Sequence, residues 1–313
     1  MTGEAAGQSA VARMHVDEIE SDEAVAQRLV AERFPKWRDL PVRRVVPGGT
    51  DNAIYRLGDD LAVRLRRRPS AAGQVEVEAR WLPRLAPRLP LAIPEIVEVA
   101  PPSEAFPWPW AVTRWIEGES ATPDALHDKI GAAHDLGAFV GVLGEIDAIG
   151  GPVPARANSG RGVPLVLRDE STRRNIALLD ETDHPALLAE IWEASLAVPP
   201  WSGTARWIHG DLLPVNLLAR DGRLVAAIDW GCISTGDPAT DLMAAWTMFG
   251  GEARQAFREA SGCDDDTWAR GRGWAVSWAA ICLPYYRPLE NPLVAIADRV
   301  LAAVASEWRK AGV

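Results

Sequence analysis

The sequence predicts an α+β fold in two lobes: a small antiparallel β-sheet with one main helix, followed by a larger, mostly helical lobe. Two observations carry this. Before residue 115, short apolar-alternating runs are separated by Gly- and Asp-rich breaks; beyond it, apolar residues recur at helical spacing over long stretches. At 313 residues the chain is long enough to bury two such units, and no internal repeat or low-complexity linker interrupts it.

Taken in order, residues 1–14 show no periodic pattern and are expected to be disordered. A helix is expected from Ser21 or Asp22, both good N-caps, with Val25, Leu29, Val30 and Phe34 at helical spacing and Pro35 closing it. LPVRRVVPGGTDNAIYRLGDDLAVRLRRR then reads as three strands joined by GGTDN and GDD, hence two hairpins. QVEVEARWLPRLAP reads as a helix stopped by Pro87, and IPEIVEVA and WPWAVTRWI as two more strands. The first lobe is therefore placed at 15–114. Residues 115–313 form the helical lobe, with KIGAAHDLGAFVGVLGEIDAI and HPALLAEIWEASLAV as its first clear helices.

Composition narrows the function classes. Hydrophobic residues make up 48% and charged residues 24%, as in ordinary globular proteins. No apolar run approaches the roughly 18 residues that cross a bilayer, and the first twenty residues lack the apolar centre of a signal peptide. No membrane association is expected. Three unclustered cysteines, Cys232, Cys263 and Cys282, offer neither a disulfide framework nor a zinc knuckle, which fits a reducing cytoplasm. The net charge of −10 lies wholly beyond residue 114, because 1–114 carry 16 acids and 16 bases. Such a field repels nucleic acid and attracts cations. No G-x-x-x-x-G-K-[ST] loop, G-x-S-x-G elbow or H-E-x-x-H pair occurs. Nothing in the sequence fixes an oligomeric state.

The chemistry concentrates in WIHGDLLPVNLLARDGRLVAAIDWG, residues 207–231. PVNLLARDGRLVAAID reads as a β-hairpin with Asp221-Gly222 at its tip. A hairpin brings its open ends together, so Asn216 and Asp229 are expected to be neighbours, with Asp211 on the loop before them. Two carboxylates about 4 Å apart repel by on the order of 4 kcal/mol at intermediate dielectric. A hard divalent cation relieves this, and Mg²⁺ commonly takes one or two carboxylates plus phosphate oxygens. The segment therefore reads as a phosphoryl-transfer site. Asn216 and Asp229 hold Mg²⁺, and Asp211 orients and deprotonates an attacking hydroxyl.

H-G-D-x-x-x-x-N followed by I-D-W-G resembles the catalytic and metal loops of protein-kinase-like enzymes. With Gly210, Trp230 and GDPATDL at 236–242, it is similar to the aminoglycoside phosphotransferase family, which includes macrolide and other small-molecule kinases. The resemblance spans roughly residues 40–305. It implies a protein-kinase-like bilobal fold and transfer of the γ-phosphate of ATP or GTP to a hydroxyl of a small molecule. An aminoglycoside-type natural product would suit the acidic second lobe; macrolides, amino alcohols and sugars stand as alternative acceptors. GGTDN corresponds to the phosphate-covering loop, with Gly49, Thr50 and Asn52 as candidate contacts. Arg64 stands where the family pattern has lysine, and Glu78 is its matching helix partner, with Glu76 as the alternative. The Arg114 carbonyl and the Ile116 N–H would bond the base edge, with Thr113 gating the pocket. His209 is expected to brace the loop, Asp237 and Asp241 to anchor it or cap a helix, and Asp264 to Asp266 to cap the following helix. Trp274 and Trp278 share a helical face with Cys282 and read as core. A catalytically silent kinase-fold binding protein is the competing class. Such proteins typically lose a catalytic or metal group, whereas Asp211, Asn216 and Asp229 are all kept here.

Overall fold

The computed structural model describes residues 21–46, 52–67 and 73–310. The expectations for residues 1–14, Gly49 and Thr50 lie outside them. The first helix, α1 (Glu23–Arg33), starts where the sequence signal placed it, because the Asp22 carboxylate accepts the Val25 N–H at 2.8 Å. Among the described residues, five strands form an antiparallel sheet: β1 (Val42–Arg44), β2 (Asn52–Leu57), β3 (Leu61–Arg66), β4 (Ile96–Ala100) and β5 (Trp110–Arg114), in the order β1-β2-β3-β5-β4. Thus β5 inserts beside β3, bringing Arg64 opposite Ala111 and Ala62 opposite Thr113.

α1 covers one face of this sheet, and together they bury Leu29, Val30, Tyr55, Val63, Leu65, Trp110 and Val112 in one apolar cluster. Helix α2 (Gln74–Leu85) behaves differently. It runs through Pro83 to Leu85 and passes into a 3₁₀ turn at Ala86–Arg88 that contains Pro87, so the helix stops just before that proline, as its sequence signal predicts. Its Trp81, Leu82 and Leu85 belong to the second, larger cluster, where Trp81 meets Trp207 at a ring separation of 4.9 Å. One turn earlier on the same face, Glu78 turns its carboxylate toward β3. One helix therefore ties the sheet to the helical part of the chain.

Beyond β5 come β6 (Glu119–Ser120), α3 (Lys129–Glu145), α4 (Asp169–Ile176), α5 (Pro185–Ala197), β7 (Arg206–Ile208), β8 (Leu217–Arg220), β9 (Arg223–Ala227), β10 (Ser234–Gly236), α6 (Ala239–Leu242), α7 (Ala244–Met248), α8 (Gly251–Ser261), α9 (Asp265–Tyr286) and α10 (Leu293–Lys310). The β8–β9 hairpin turns at Asp221 and Gly222, both with positive φ (51° and 74°), as a two-residue primed turn requires. Two further pairings were not foreseen: β6 adds to β8, and β10 pairs with β7. Both strands are only two or three residues long, too short to leave a period-two signal. α9 is the centre of the helical core: Trp274, Ala275, Val276, Ala279, Ala280 and Leu283 are inaccessible to solvent. Asp264 caps it by accepting the Thr267 N–H at 2.6 Å.

Candidate active site

The hairpin delivers its two ends to one place. The Ile228 N–H donates to the Asn216 carbonyl at 2.8 Å, closing the open end of β8–β9 one residue before Asp229. Asn216 itself sits in a 3₁₀ turn, Pro214–Asn216, just ahead of the strand. Its Nδ2 donates to the Asp211 carbonyl at 2.9 Å and to Asp211 Oδ2 at 3.0 Å. Asp211 and Asn216 are thus in direct contact, and Asn216 Oδ1 meets no donor among the described residues.

The loop carrying Asp211 is held from beneath. Both oxygens of the buried Asp241 accept main-chain N–H groups, of His209 and of Gly210, at 2.7 Å each. Burial pushes the Asp241 carboxyl up to about 7, against the pull of these two amide donors. Gly210 adopts φ +86°, and a Cβ there would lie 2.5 Å from the Cys232 carbonyl oxygen, so a side chain at this position is excluded twice over. His209 is fully buried, donating from Nε2 to the Ile228 carbonyl at 3.0 Å and accepting the Asp211 N–H on Nδ1 at 3.2 Å. Burial lowers its pKa to about 4. It is a neutral strut linking the Asp211 loop to the second hairpin arm, with no proton to exchange near pH 7. Asp237 makes no contact with the Asp211 loop among the described residues: its Oδ1 accepts the Ala239 N–H at the start of α6 at 3.0 Å, and it pairs with buried Arg270 at 2.8 Å.

Arg161 was not singled out in the sequence. It donates from Nη2 to Asp211 Oδ1 at 3.0 Å and is buried itself. The Asp211 carboxylate is therefore fixed on both oxygens, by Arg161 on one and Asn216 on the other. Arg161 lies in the irregular NSGRG stretch, fifty residues upstream, where nothing but the charge of one arginine could have marked it.

Asp229 is positioned by strain rather than by partners. It adopts the left-handed conformation, φ 60°, ψ 69°, which costs a non-glycine residue on the order of 1 kcal/mol. Only Arg64 approaches its carboxylate among the described residues, Nη2 lying 3.9 Å from Oδ1. Trp230, buried against His209 and Phe139, locks the residue that follows.

Arg64 makes a two-pronged bond to Glu78, Nη1 to Oε2 at 2.6 Å and Nη2 to Oε1 at 3.2 Å. Glu78 is the partner and Glu76 is exposed. Arg66 also reaches Glu78, at 3.3 Å. Burial alone would raise Glu78, but Arg64 and then Arg66 outweigh it and hold the carboxyl below its ordinary range. Asn52 heads β2, buried, and its Oδ1 meets no donor among the described residues. Past the last sheet pair, Leu61 with Arg114, the Trp115 N–H bonds the Asp60 carbonyl at 2.8 Å, and the Ile116 main chain leaves the sheet. Thr113 is buried on β5, two register pairs away from Arg64 and Ala111 and so on the same face of the sheet.

The donor set at the hairpin's open end is all oxygen: the Asn216 amide oxygen and the Asp229 carboxylate. Among the described residues no group of three His, Cys, Asp or Glu side chains converges as a metal cage. Two hard-oxygen ligands are the kind of site that suits Mg²⁺ sharing phosphate oxygens.

The phosphotransferase enzyme family profile matches residues 42–274. No curated protein sequence matches the chain. Among solved structures, the fold is similar to the GDP complex of wild-type aminoglycoside 2'-phosphotransferase-IIIa, with a TM-score of 0.70 at 20% identity, covering 92% of this chain and 99% of that one. It is also similar to the gentamicin complex of APH(2")-IIa, with a TM-score of 0.61 at 18% identity, covering 91% and 96%. The apoenzyme of macrolide 2'-phosphotransferase MphH from Brachybacterium faecium aligns with a TM-score of 0.57 at 24% identity, covering 91% and 97%. At these identities the likeness speaks to the fold, which is the kinase-like α+β fold expected from the sequence.

Proposed function

The chain belongs to the phosphotransferase enzyme family, and from that premise we propose that it transfers the γ-phosphate of a Mg²⁺-bound nucleotide, ATP or GTP, to a hydroxyl of a small molecule. The observation that carries this reading is the contact of Asn216 with Asp211 beside the open end of the hairpin that presents Asp229. Asp211, oriented by Arg161 and Asn216, accepts the acceptor's hydroxyl proton. The oxygen then attacks the γ-phosphorus, the bond to the β–γ bridging oxygen breaks, and the nucleoside diphosphate leaves. Asn216 Oδ1 and Asp229 are the protein ligands for Mg²⁺, which when bound neutralises charge on the transferring phosphate. Arg64, held by Glu78 and facing Asp229, takes the place of the usual lysine on the phosphates, where a guanidinium fork is competent. Gly49, Thr50 and Asn52 would contact phosphates, and the main chain at Arg114 and Ile116 would read the base.

Aminoglycosides, macrolides, amino alcohols and sugars are the acceptor classes to try first. The test is transfer of label from γ-labelled ATP and GTP across such a panel, with and without Mg²⁺. Mg²⁺-dependent transfer to at least one hydroxyl compound is expected. Nucleotide binding without transfer to any of them would instead favour a silent binding protein.

A further inference from the structure

Asp211 divides the site. Its Oδ2 meets Asn216 on the metal side, while its Oδ1 meets Arg161, whose charge in turn acts on Arg168. On that second side stands Arg168, at the end of the turn Leu165–Arg168 that follows the Arg161 loop. Its Nε donates to the Ser277 hydroxyl at 2.9 Å, and its guanidinium lies over the Trp274 ring at 4.4 Å. Among the described residues, no carboxylate pairs with it and no acceptor meets its two Nη groups. The contrast within the molecule is sharp. Arg64 and Arg66 share Glu78, Arg161 has Asp211, and Arg270 has Asp237.

Stability does not explain an uncompensated guanidinium here. Arg168 immediately precedes α4, where a helix dipole disfavours positive charge. The adjacent Asp169 is committed elsewhere, its Oδ1 accepting from Trp192 Nε1 at 2.7 Å and from Arg173 Nε at 2.6 Å. Burial first, and the like charge of Arg161 second, pull Arg168 down to about 9, so it stays protonated at neutral pH. The two Nη groups of Arg168 are therefore the open donors on this side of Asp211. A neutral or cationic group placed there would leave them unmet; an anion would satisfy them.

We propose that the phosphate acceptor carries an anionic group, a carboxylate or a phosphate ester, which Arg168 binds on the α9 side of Asp211. The inference rests on the phosphotransfer reading above and narrows its substrate class. The acidic excess of the chain as a whole does not describe this surface, because recognition depends on charge within a few ångströms rather than on net charge.

The experiment measures transfer from γ-labelled nucleotide to hydroxylated monocarboxylic acids and to sugar phosphates. Each is run beside its uncharged counterpart, the amide of the acid or the free sugar, with kanamycin and gentamicin as cationic acceptors. A preference of at least about tenfold in kcat/KM for one anionic series over its neutral partner is expected, and the series that shows it distinguishes carboxylate from phosphate. Arg168→Gln should erase that preference mainly through KM, and Arg168→Lys should restore part of it. Nucleotide affinity serves as the folding control. Transfer to neutral or cationic acceptors alone, with Arg168→Gln as active as the parent, overturns the inference and leaves phosphotransfer standing. Failure with every acceptor overturns both.

Discussion

The two aspartates of the site are held in opposite ways. Asp211 has a partner on each oxygen, Arg161 at 3.0 Å and Asn216 at 3.0 Å, on a loop that Asp241 pins through two main-chain N–H groups. Asp229 is kept in a strained backbone conformation, with only the Arg64 guanidinium near its carboxylate among the described residues, at 3.9 Å. The difference fits the role proposed for each carboxylate. A proton acceptor must point in one direction, and bonds on both oxygens supply that orientation. A cation ligand must keep its lone pairs uncommitted, so its position is better set by the main chain than by hydrogen bonds.

That contrast can be broken from either end. The largest effect is expected from Asp211→Ala, which should lower kcat by at least about 100-fold, the lower range for a positioned proton acceptor. Steady-state kinetics at saturating nucleotide measures it, and near-normal turnover would remove Asp211 from its role. Next, Asp229→Asn should raise the half-saturating Mg²⁺ concentration by at least about 10-fold, since even partners one shell out from a metal cost that much. Nucleotide binding titrated against Mg²⁺ reads this directly; an unchanged midpoint would mean the cation is held elsewhere. Smallest of the three, Arg161→Gln frees one oxygen of Asp211 and should lower kcat roughly tenfold with nucleotide affinity intact, the size expected for one charge-assisted hydrogen bond. If kcat stayed level, Asn216 alone would suffice to orient Asp211.

What could be read in advance follows the range of each interaction. The Asp22 cap, the Asp221-Gly222 turn and the meeting of hairpin ends are encoded within a few residues, so local chemistry announces them. Arg64 with Glu78 spans one hairpin-to-helix step and was reached through the family resemblance. Helix α2 was harder: its periodicity predicted a helix beside the sheet, but no pattern showed that Trp81, Leu82 and Leu85 would join the other core. Short strands β6 and β10 escaped because two or three residues carry no period.

The sequence by itself determined the five first-lobe strands and their helices and the spacing of Asp211, Asn216 and Asp229, because turns, caps and periodicities act between neighbours along the chain. Tertiary structure alone decided which partners the guanidiniums of Arg161 and Arg168 meet. Arg161 reaches Asp211 across 50 residues and Arg168 reaches Ser277 across 109, separations over which partners are chosen by packing rather than by local pattern.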